Sequence, residues 1–435
     1  MRPRVLLFNL PPSGGDLFPI SLGYIAASLS AHRVETALAE IDRITPGLGQ
    51  SITNFILDFK PQLVGFSVYQ ANIRIALQLA RLIKIIDPGI TVVIGGPQVT
   101  HMPGQALRQM PAVDIMVTGE GETVMPKLVS CLCRRGSLEK VKGIVFRKRG
   151  SFFATAPAPL IRDLDDFASP YQTGAFNLAD HKAATMLTSR GCCFNCGFCY
   201  TPRAFGYTVR AHSVRRVLED MRICVDSGIK RFFFADPSFT YNRARSAQIM
   251  RGIIKKGWKV EIWCESRADQ VDKELLKLMA RAGVSHIAYG LESVDQAVHR
   301  AVNKPIDLRQ FARAVTLTQD LGMRAEVFTL YGLPQQTVAS CMQTLDFLKK
   351  LGVKIAGNSA GQQLLLFFGT DMTDDPEKYG IRLRNRRRPL YLSPGVDFET
   401  RYMNQRDIAR VARRYKAQAA SGGAKKEKGD CISLL

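Results

Sequence analysis

Apolar and polar positions along this chain form two long series, each switching between short β-rich runs and segments with helical spacing. In the first 150 residues, Arg4–Leu10, Val34–Ile41, Leu63–Tyr69, Thr91–Gly95 and Asp114–Thr118 read as buried strands. Between them, Leu22–Leu29, Ile73–Ile86 and Val124–Cys133 repeat apolar residues at the spacing of one helix face. Pro88-Gly89 ends one of these helices before the next strand. Such alternation predicts a parallel, doubly wound (Rossmann-like) sheet. Ligands of such sheets sit beyond the carboxyl ends of the strands. Those ends carry Asn9–Gly15 with Ser13 and Gly14, then Ser67-Val68-Tyr69-Gln70, Gly95-Gly96-Pro97-Gln98 and Gly119-Glu120-Gly121-Glu122. Three of these four loops bear glycine, which lets backbone approach a ligand closely.

The pattern weakens over 149–183, where Ala156-Pro-Ala-Pro159 and the acidic run Asp163–Asp166 suggest a linker after a first domain at 1–148. A second alternation fills 184–370. Its expected strands are Thr185–Ser189, Arg231–Ala235, Val260–Cys264, His286–Gly290, Ala325–Leu330 and Ile355–Leu365. Helical patterns intervene at Val214–Cys224, Ala244–Ile254, Lys273–Ala280, Leu308–Leu321 and Val338–Leu348. Six strands are too few to close an eight-stranded barrel, so an α/β fold with a partial (β/α)6 barrel, open on one side, is expected. A short basic segment, 371–435, closes the chain, and its end is expected to be disordered.

At 435 residues there is room for two cores, and 46% hydrophobic with 23% charged residues is ordinary for globular protein. No apolar run approaches the roughly 18–20 residues of a membrane helix. Asn9 and Pro11-Pro12 cut short the apolar start, which argues against a secretion signal. A soluble, cytoplasmic protein is expected. The net charge is +22, of which +9 falls between Ile381 and Asp430. A basic tail can meet nucleic acid or an acidic partner electrostatically. Arg386-Arg387-Arg388 has no interleaved aromatic residue, so a solvated tail is favoured over a nucleic-acid partner.

Four of the ten cysteines fall within Cys192–Cys199, and the rest are scattered. Clustering on that scale, in a chain without an export signal, argues for metal rather than disulfides. The segment Thr188-Ser-Arg-Gly-Cys192-Cys-Phe-Asn-Cys196-Gly-Phe-Cys199 places a C-x3-C-x2-C spacing directly after a strand. Thiolates suit zinc or iron–sulfur clusters. Structural zinc wants four ligands; Cys193 adjoins Cys192 and is expected to point away, and the loop has no histidine. Three thiolates on a four-iron cluster leave one iron open to a chelating amine and carboxylate.

This constellation resembles the radical S-adenosylmethionine (SAM) superfamily over about residues 184–370. The resemblance implies a [4Fe–4S] cluster on Cys192, Cys196 and Cys199, with Phe198 meeting the adenine of SAM. Asp236-Pro-Ser238 stands where many relatives carry Gly-Gly-Glu, a motif for the SAM amino group; the departure sets the role of Asp236 apart. Arg267 and Glu292-Ser293 resemble the carboxylate and ribose contacts. Read by themselves, Arg267 also suits an ion pair with Glu265 or Asp269, and Glu292 suits a helix cap.

The first half resembles the cobalamin-binding domain of the B12-dependent branch of that superfamily. It does so through the proline-rich first loop, Leu22-Gly23-Tyr24, Gly65-Phe-Ser67, Gly95-Gly-Pro97 and Gly119-Glu-Gly-Glu122. No G-x-G-x-x-G follows the first strand, which disfavours a dinucleotide. None of the six histidines lies in the Asp-x-His-x-x-Gly motif of better-known cobalamin carriers. Cobalamin is therefore expected base-off without a protein histidine, with Tyr69 and Gln70 as candidates beneath cobalt or as loop packing. The remaining cobalamin contacts implied are Ser13, Gly14, Ser67, Gly95, Gly96, Pro97, Gln98, Gly119, Glu120 and Glu122.

The family resemblance implies a methyltransferase. SAM provides a methyl group, carried by methylcobalamin, and a second SAM provides a 5′-deoxyadenosyl radical that activates an unactivated carbon, or phosphorus, of the substrate. The chemistry belongs to the cofactors, so no protein acid or base is assigned. The alternatives are cyclisation, ring rearrangement or oxidation with the same cofactors, and a non-catalytic cobalamin sensor. A methylthiotransferase is disfavoured, because Cys131 and Cys133 are too few for a second cluster. The substrate class is open, and an external electron donor of flavodoxin or ferredoxin type is implied.

Overall fold

The computed structural model describes residues 2–11, 19–41, 44–148, 150–353, 362–384 and 398–421. Two compact units divide the chain, the first ending at Asn177 and the second beginning at Leu178.

In the first unit, β1 (Arg4–Asn9), β2 (Glu35–Glu40), β3 (Leu63–Ser67), β4 (Thr91–Gly95) and β5 (Ile115–Val117) pair in parallel, in the order β2-β1-β3-β4-β5. Helices α1 (Ile20–Ala31), α2 (Leu48–Phe59), α3 (Ile73–Ile86), the short α4 (Pro97–Thr100) and α5 (Gly121–Cys133) alternate with them. β3 is buried along its whole length, as a central parallel strand covered on both faces should be. Leu7, Leu22, Leu29, Leu63, Val93 and Leu128 belong to one core, each nearly inaccessible to solvent. The strand order reverses between β1 and β3, which is where a doubly wound sheet opens a crevice for its ligand. Two antiparallel strands, β6 (Ile144–Lys148) and β7 (Ser151–Ala154), extend the sheet beyond β5. β7 carries the first unit into the stretch expected to be linker, because it pairs back onto β6, whose Ile144, Val145 and Phe146 are buried beside β5.

The second unit opens with β8 (Ala183–Met186) and the short antiparallel pair β9 (Ser189–Arg190) and β10 (Arg210–Ala211), with α6 (Thr201–Phe205) between β9 and β10. Then come α7 (Val214–Asp226), β11 (Arg231–Phe234), α8 (Arg243–Lys255), β12 (Glu261–Ser266), α9 (Lys273–Arg281), β13 (Val284–Glu292), α10 (Gln296–Ala301), α11 (Leu308–Asp320), β14 (Arg324–Tyr331), α12 (Val338–Lys350) and β15 (Gln362–Gln363). The sheet order β8-β11-β12-β13-β14-β15 follows the chain, all parallel, and the sheet curls into a half-barrel. The expected sixth strand, Ile355–Leu365, survives as β15; the part before Gln362 lies outside the described residues. The short helix α13 (Asp371–Asp374), the hairpin β16 (Ile381–Leu383) with β17 (Phe398–Thr400), and α14 (Gln405–Ser421) complete the described chain. Tyr415 of α14 is fully buried, and its hydroxyl donates to the Cys341 carbonyl on α12 at 3.5 Å.

The helices of this unit start on purpose-built caps. Ser213, Asn242, Asp272, Asp295, Asp307 and Thr337 each accept a backbone N–H from the first turn of the helix that follows. These caps sit in the loops at the carboxyl ends of strands, so they also set where those loops go. Among the described residues, no helix is long and apolar enough to cross a membrane.

Candidate cluster and cofactor site

The cysteine loop leaves β9 through Gly191, whose φ is +88°. A Cβ there would stand 2.4 Å from the Thr208 carbonyl oxygen, so only glycine fits. The Cys192 N–H donates to Gly206 O at 3.2 Å, and the Cys199 N–H turns back onto Cys196 O at 3.0 Å. Gly197 N–H reaches Val302 O at 2.9 Å, and the Asn303 side chain donates to Asn195 O at 2.9 Å. The loop is thus tied down from both sides, by the β9–β10 corner and by the segment after α10. Cys196 is buried, Cys192 and Cys199 are half-buried, and Cys193 is exposed.

Burial pushes all three thiols up, Cys196 to about 11, with the Lys304 cation opposing that rise at Cys196 and Cys199. Binding metal must then release protons into solvent. Among the described residues, no three His, Cys, Asp or Glu side chains converge on a site for one metal ion. Three thiols at C-x3-C-x2-C spacing in one anchored loop suit a four-iron cluster, where each thiolate holds a different iron. The donor set fits the cluster.

The residues expected to hold SAM gather near this loop from the strand ends, in differing states. Asp236, after β11, is buried; its Oδ1 accepts Thr188 Oγ1 at 2.9 Å and also Ser189 Oγ, while its Oδ2 is buried with no hydrogen-bond partner. Burial pushes this carboxyl up, against hydrogen bonds and Arg245. Ser238 donates to Gln270 Oε1 at 2.5 Å and, with Cys192, Phe194 and Tyr241, lines a crevice beside the loop. Arg267 stacks on the Phe194 ring at 4.0 Å and forks onto Asp269 at 2.6 and 2.9 Å, so its ion pair is with Asp269.

Glu292 has a left-handed backbone (φ +62°) at a register shift between β13 and β14. Its carboxylate meets Lys304 Nζ at 2.6 Å, both side chains being nearly buried. Lys304 also lies 6.0 Å from the Phe198 ring centroid. Ser293 is fully buried, and its carbonyl accepts His299 Nε2 at 2.6 Å. Burial pulls His299 down, so a neutral ring donating through Nε2 pins the turn.

Lys304, Asn303 and His299 escaped the sequence reading. They belong to no motif and reach the loop only through the fold of α10, the one available signal being a lysine shortly after a buried-looking Leu-Glu-Ser.

In the first unit, the loops expected to meet cobalamin follow β3, β4 and β5 side by side. Ser67 and Gln70 are buried. Tyr69 is held by hydroxyl bonds to Ser21 and Ser67, and burial pushes its phenol up, so it stays neutral. Gly96 (φ +102°) lets the β4 loop pass the β3 loop: a Cβ there would meet Val68 N and O at 3.0 Å. Gln98 N–H donates to Val68 O at 3.1 Å, locking the two loops together. Gly119 is left-handed (φ +80°) beside open space. Glu120 is buried and accepts Ile161 N–H at 3.2 Å, and Glu122 is buried in the first turn of α5. Pro97 starts α4. Ser13 and Gly14 lie outside the described residues. Cys131 packs against the core rather than joining a metal site.

Residues 186–348 match the radical SAM superfamily, and residues 9–129 match the B12 binding domain. An uncharacterised methyltransferase of Pyrococcus horikoshii is 31% identical over 82% of this chain and 80% of its own length. An anaerobic magnesium-protoporphyrin IX monomethyl ester cyclase of Rubrivivax gelatinosus is 28% identical over 76% of this chain, which spans 61% of that protein. The radical SAM methyltransferase TsrM of Kitasatospora setae, solved with cobalamin and a [4Fe–4S] cluster, superposes with a TM-score of 0.75 at 17% identity, over 91% of this chain and 79% of its own. With the two matched domains in the order the strand ends and the cysteine loop imply, the chain belongs to the B12-dependent radical SAM enzymes.

Proposed function

We propose that this enzyme is a methyltransferase that places a methyl group from SAM on a carbon, or phosphorus, that ordinary nucleophilic transfer cannot reach. When bound, the cluster with SAM supplies a 5′-deoxyadenosyl radical, and cobalamin supplies the methyl group. The chain's part is to hold these groups and keep water and competing reactions away. One observation carries the reading: a three-cysteine loop anchored at both sides, in a half-barrel that follows a B12 binding domain in one chain.

On this reading Cys192, Cys196 and Cys199 hold the cluster and leave one iron open. The unpartnered Oδ2 of Asp236 is suited to accept an ammonium, since a buried acceptor without a donor is costly. Glu292, held in place by Lys304 at 2.6 Å, is placed to accept hydroxyl groups. Phe198, Ser238, Arg267 and Ser293 complete the SAM pocket. In the first unit Ser67, Tyr69, Gln70, Gly95–Gln98, Gly119, Glu120 and Glu122 would hold the corrinoid. A cytoplasmic flavodoxin or ferredoxin is the electron donor in this scheme, and nucleic acid has no part.

The test is anaerobic reconstitution with iron, sulfide and hydroxocobalamin, followed by SAM and reductant. Formation of 5′-deoxyadenosine and S-adenosylhomocysteine together, with a product heavier by one methylene, supports methyl transfer. Likeness to the cyclase favours a second reading, cyclisation, which predicts 5′-deoxyadenosine without S-adenosylhomocysteine and no methylene gain.

A further inference from the structure

In a parallel half-barrel each helix returns the chain to the amino end of the next strand, so one rim collects the helix-to-strand turns. Here those turns share one construction. α7, α8, α9, α11 and α12 are each followed, two residues on, by a glycine in the left-handed region. These are Gly228 at φ +89°, Gly257 at +66°, Gly283 at +97°, Gly322 at +76° and Gly352 at +62°. Such a glycine caps the helix and turns the chain at once. The turns into β11, β12, β13 and β14 are therefore short, and no helix stands out from the rim they form.

The rim is basic. Lys230, Lys255, Lys256, Lys259, Arg281 and Arg324 are exposed along it, and none of them forms an ion pair among the described residues. Cations at the opposite, carboxyl-terminal end of the strands are neutralised: Arg203, Arg243, Arg267 and Lys304 are held by Asp371, Asp272, Asp269 and Glu292. The acids of the same turns are fewer: Asp226, taken by Arg222; Glu261, which accepts Ser285; and Asp320. A cation in the last turn of a helix offsets its dipole, which accounts for Lys255 and Arg281. It does not account for Lys230, Lys259 and Arg324, which lie past the helix ends. Trp258 sits amid this charge, half-buried, with Lys256 Nζ 5.6 Å from its ring centroid.

A low cationic rim bearing a partly exposed indole fits a partner that is itself flat and negative. Each lysine or arginine near an anionic headgroup surface adds about fivefold to affinity, and tryptophan settles at headgroup level. A nucleic-acid duplex would instead be read by an element that enters a groove, and the rim has none. We propose that this amino-terminal rim of the half-barrel binds an anionic lipid bilayer and holds the enzyme at a membrane surface. No described helix is long and apolar enough to cross a membrane, so the attachment is peripheral and weakens with salt. The cluster loop, at the other end of the strands, faces away from the lipid.

The test sediments the full chain with vesicles of phosphatidylcholine, alone or with phosphatidylglycerol as one lipid in three. The protein should pellet with the anionic vesicles, stay in solution with the neutral ones, and come off as salt is raised. Trp258 emission should move to shorter wavelength on binding, a change that Trp258→Phe removes. Lys230→Gln, Lys255→Gln and Lys259→Gln together should weaken binding roughly a hundredfold. Arg406→Gln, Arg413→Gln and Arg414→Gln, at exposed positions of α14, should change it little. Iron content and SAM cleavage should be the same in both triple variants, since none of these side chains touches the cysteine loop. Equal binding to both vesicle types, or an unchanged affinity in the rim variant, overturns the proposal. An equal loss in the α14 variant does so too, because net charge alone would then be the cause. Tighter binding to a short DNA duplex than to the anionic vesicles also overturns it, and makes the rim a nucleic-acid surface.

Discussion

At the residue scale, the loop cysteines and the Glu292–Lys304 pair make separable demands. Cys196→Ser should remove most of the reconstituted iron and the cluster's visible absorbance while cobalamin still binds, because the corrinoid loops lie in a different unit. Lys304→Met leaves a nearly buried carboxylate uncompensated, which costs about 3–5 kcal/mol in comparable cases. Denaturant unfolding should show that loss, and adding Glu292→Gln should recover a good part of it, since the second change removes the stranded charge. The candidate cluster cysteines could be picked out of the sequence because all three sit in one short motif. Glu292 was legible as a strand-end residue, but its partner was not: Lys304 meets it only because β13 ends in a left-handed residue and α10 folds back. Arg267 shows the same limit, because its choice between Glu265 and Asp269 is decided by the loop geometry after β12.

At the element scale, glycine geometry governs whether the cysteine loop can leave its strand. Gly191→Ala would force a methyl group onto the Thr208 carbonyl at a positive φ. The expected outcome is lowered iron occupancy with little change in the circular dichroism of the sheet, measured on the reconstituted protein. The strands and helices with clean periodicity were readable: Thr91–Gly95 and Ile73–Ile86 occupy the expected residues. α2 was not read, although Leu48, Ile52, Phe55, Ile56 and Phe59 follow helical spacing. Its apolar stripe is blurred by Phe55 and Leu57, both exposed, and only Ile52 and Ile56 are buried. The β6–β7 pair was hidden for a different reason. An antiparallel edge beside a parallel sheet breaks the strand–helix rhythm, and the exposed Arg147 and Lys148 look like loop residues.

At the scale of the whole molecule, the order of the two units could be read because each has its own periodic series, whereas the end of the first could not, since β7 pairs back into its sheet. The interior carboxyls give the chain a pH signature. The folded pKa of Glu265 is raised to about 8 and that of Asp236 is also raised, so the native state holds protons that the unfolded chain gives up near pH 4 to 5. The burial penalty is absent at lower pH and grows as pH climbs, so these groups make the protein less stable from about pH 5 to 8. Melting temperature measured on the protein without cofactors should fall over that window, and Glu265→Gln should flatten the fall. Net charge sets a second expectation. With +22 on the chain, an acidic electron-transfer protein is drawn in by long-range attraction, which screens out over a Debye length of roughly 8–10 Å near physiological salt. SAM cleavage driven by such a protein should therefore slow steeply as salt rises from about 50 to 300 mM, while cleavage driven by a small chemical reductant should change little. If both reductants show the same salt dependence, the excess positive charge has no role in recruiting the donor.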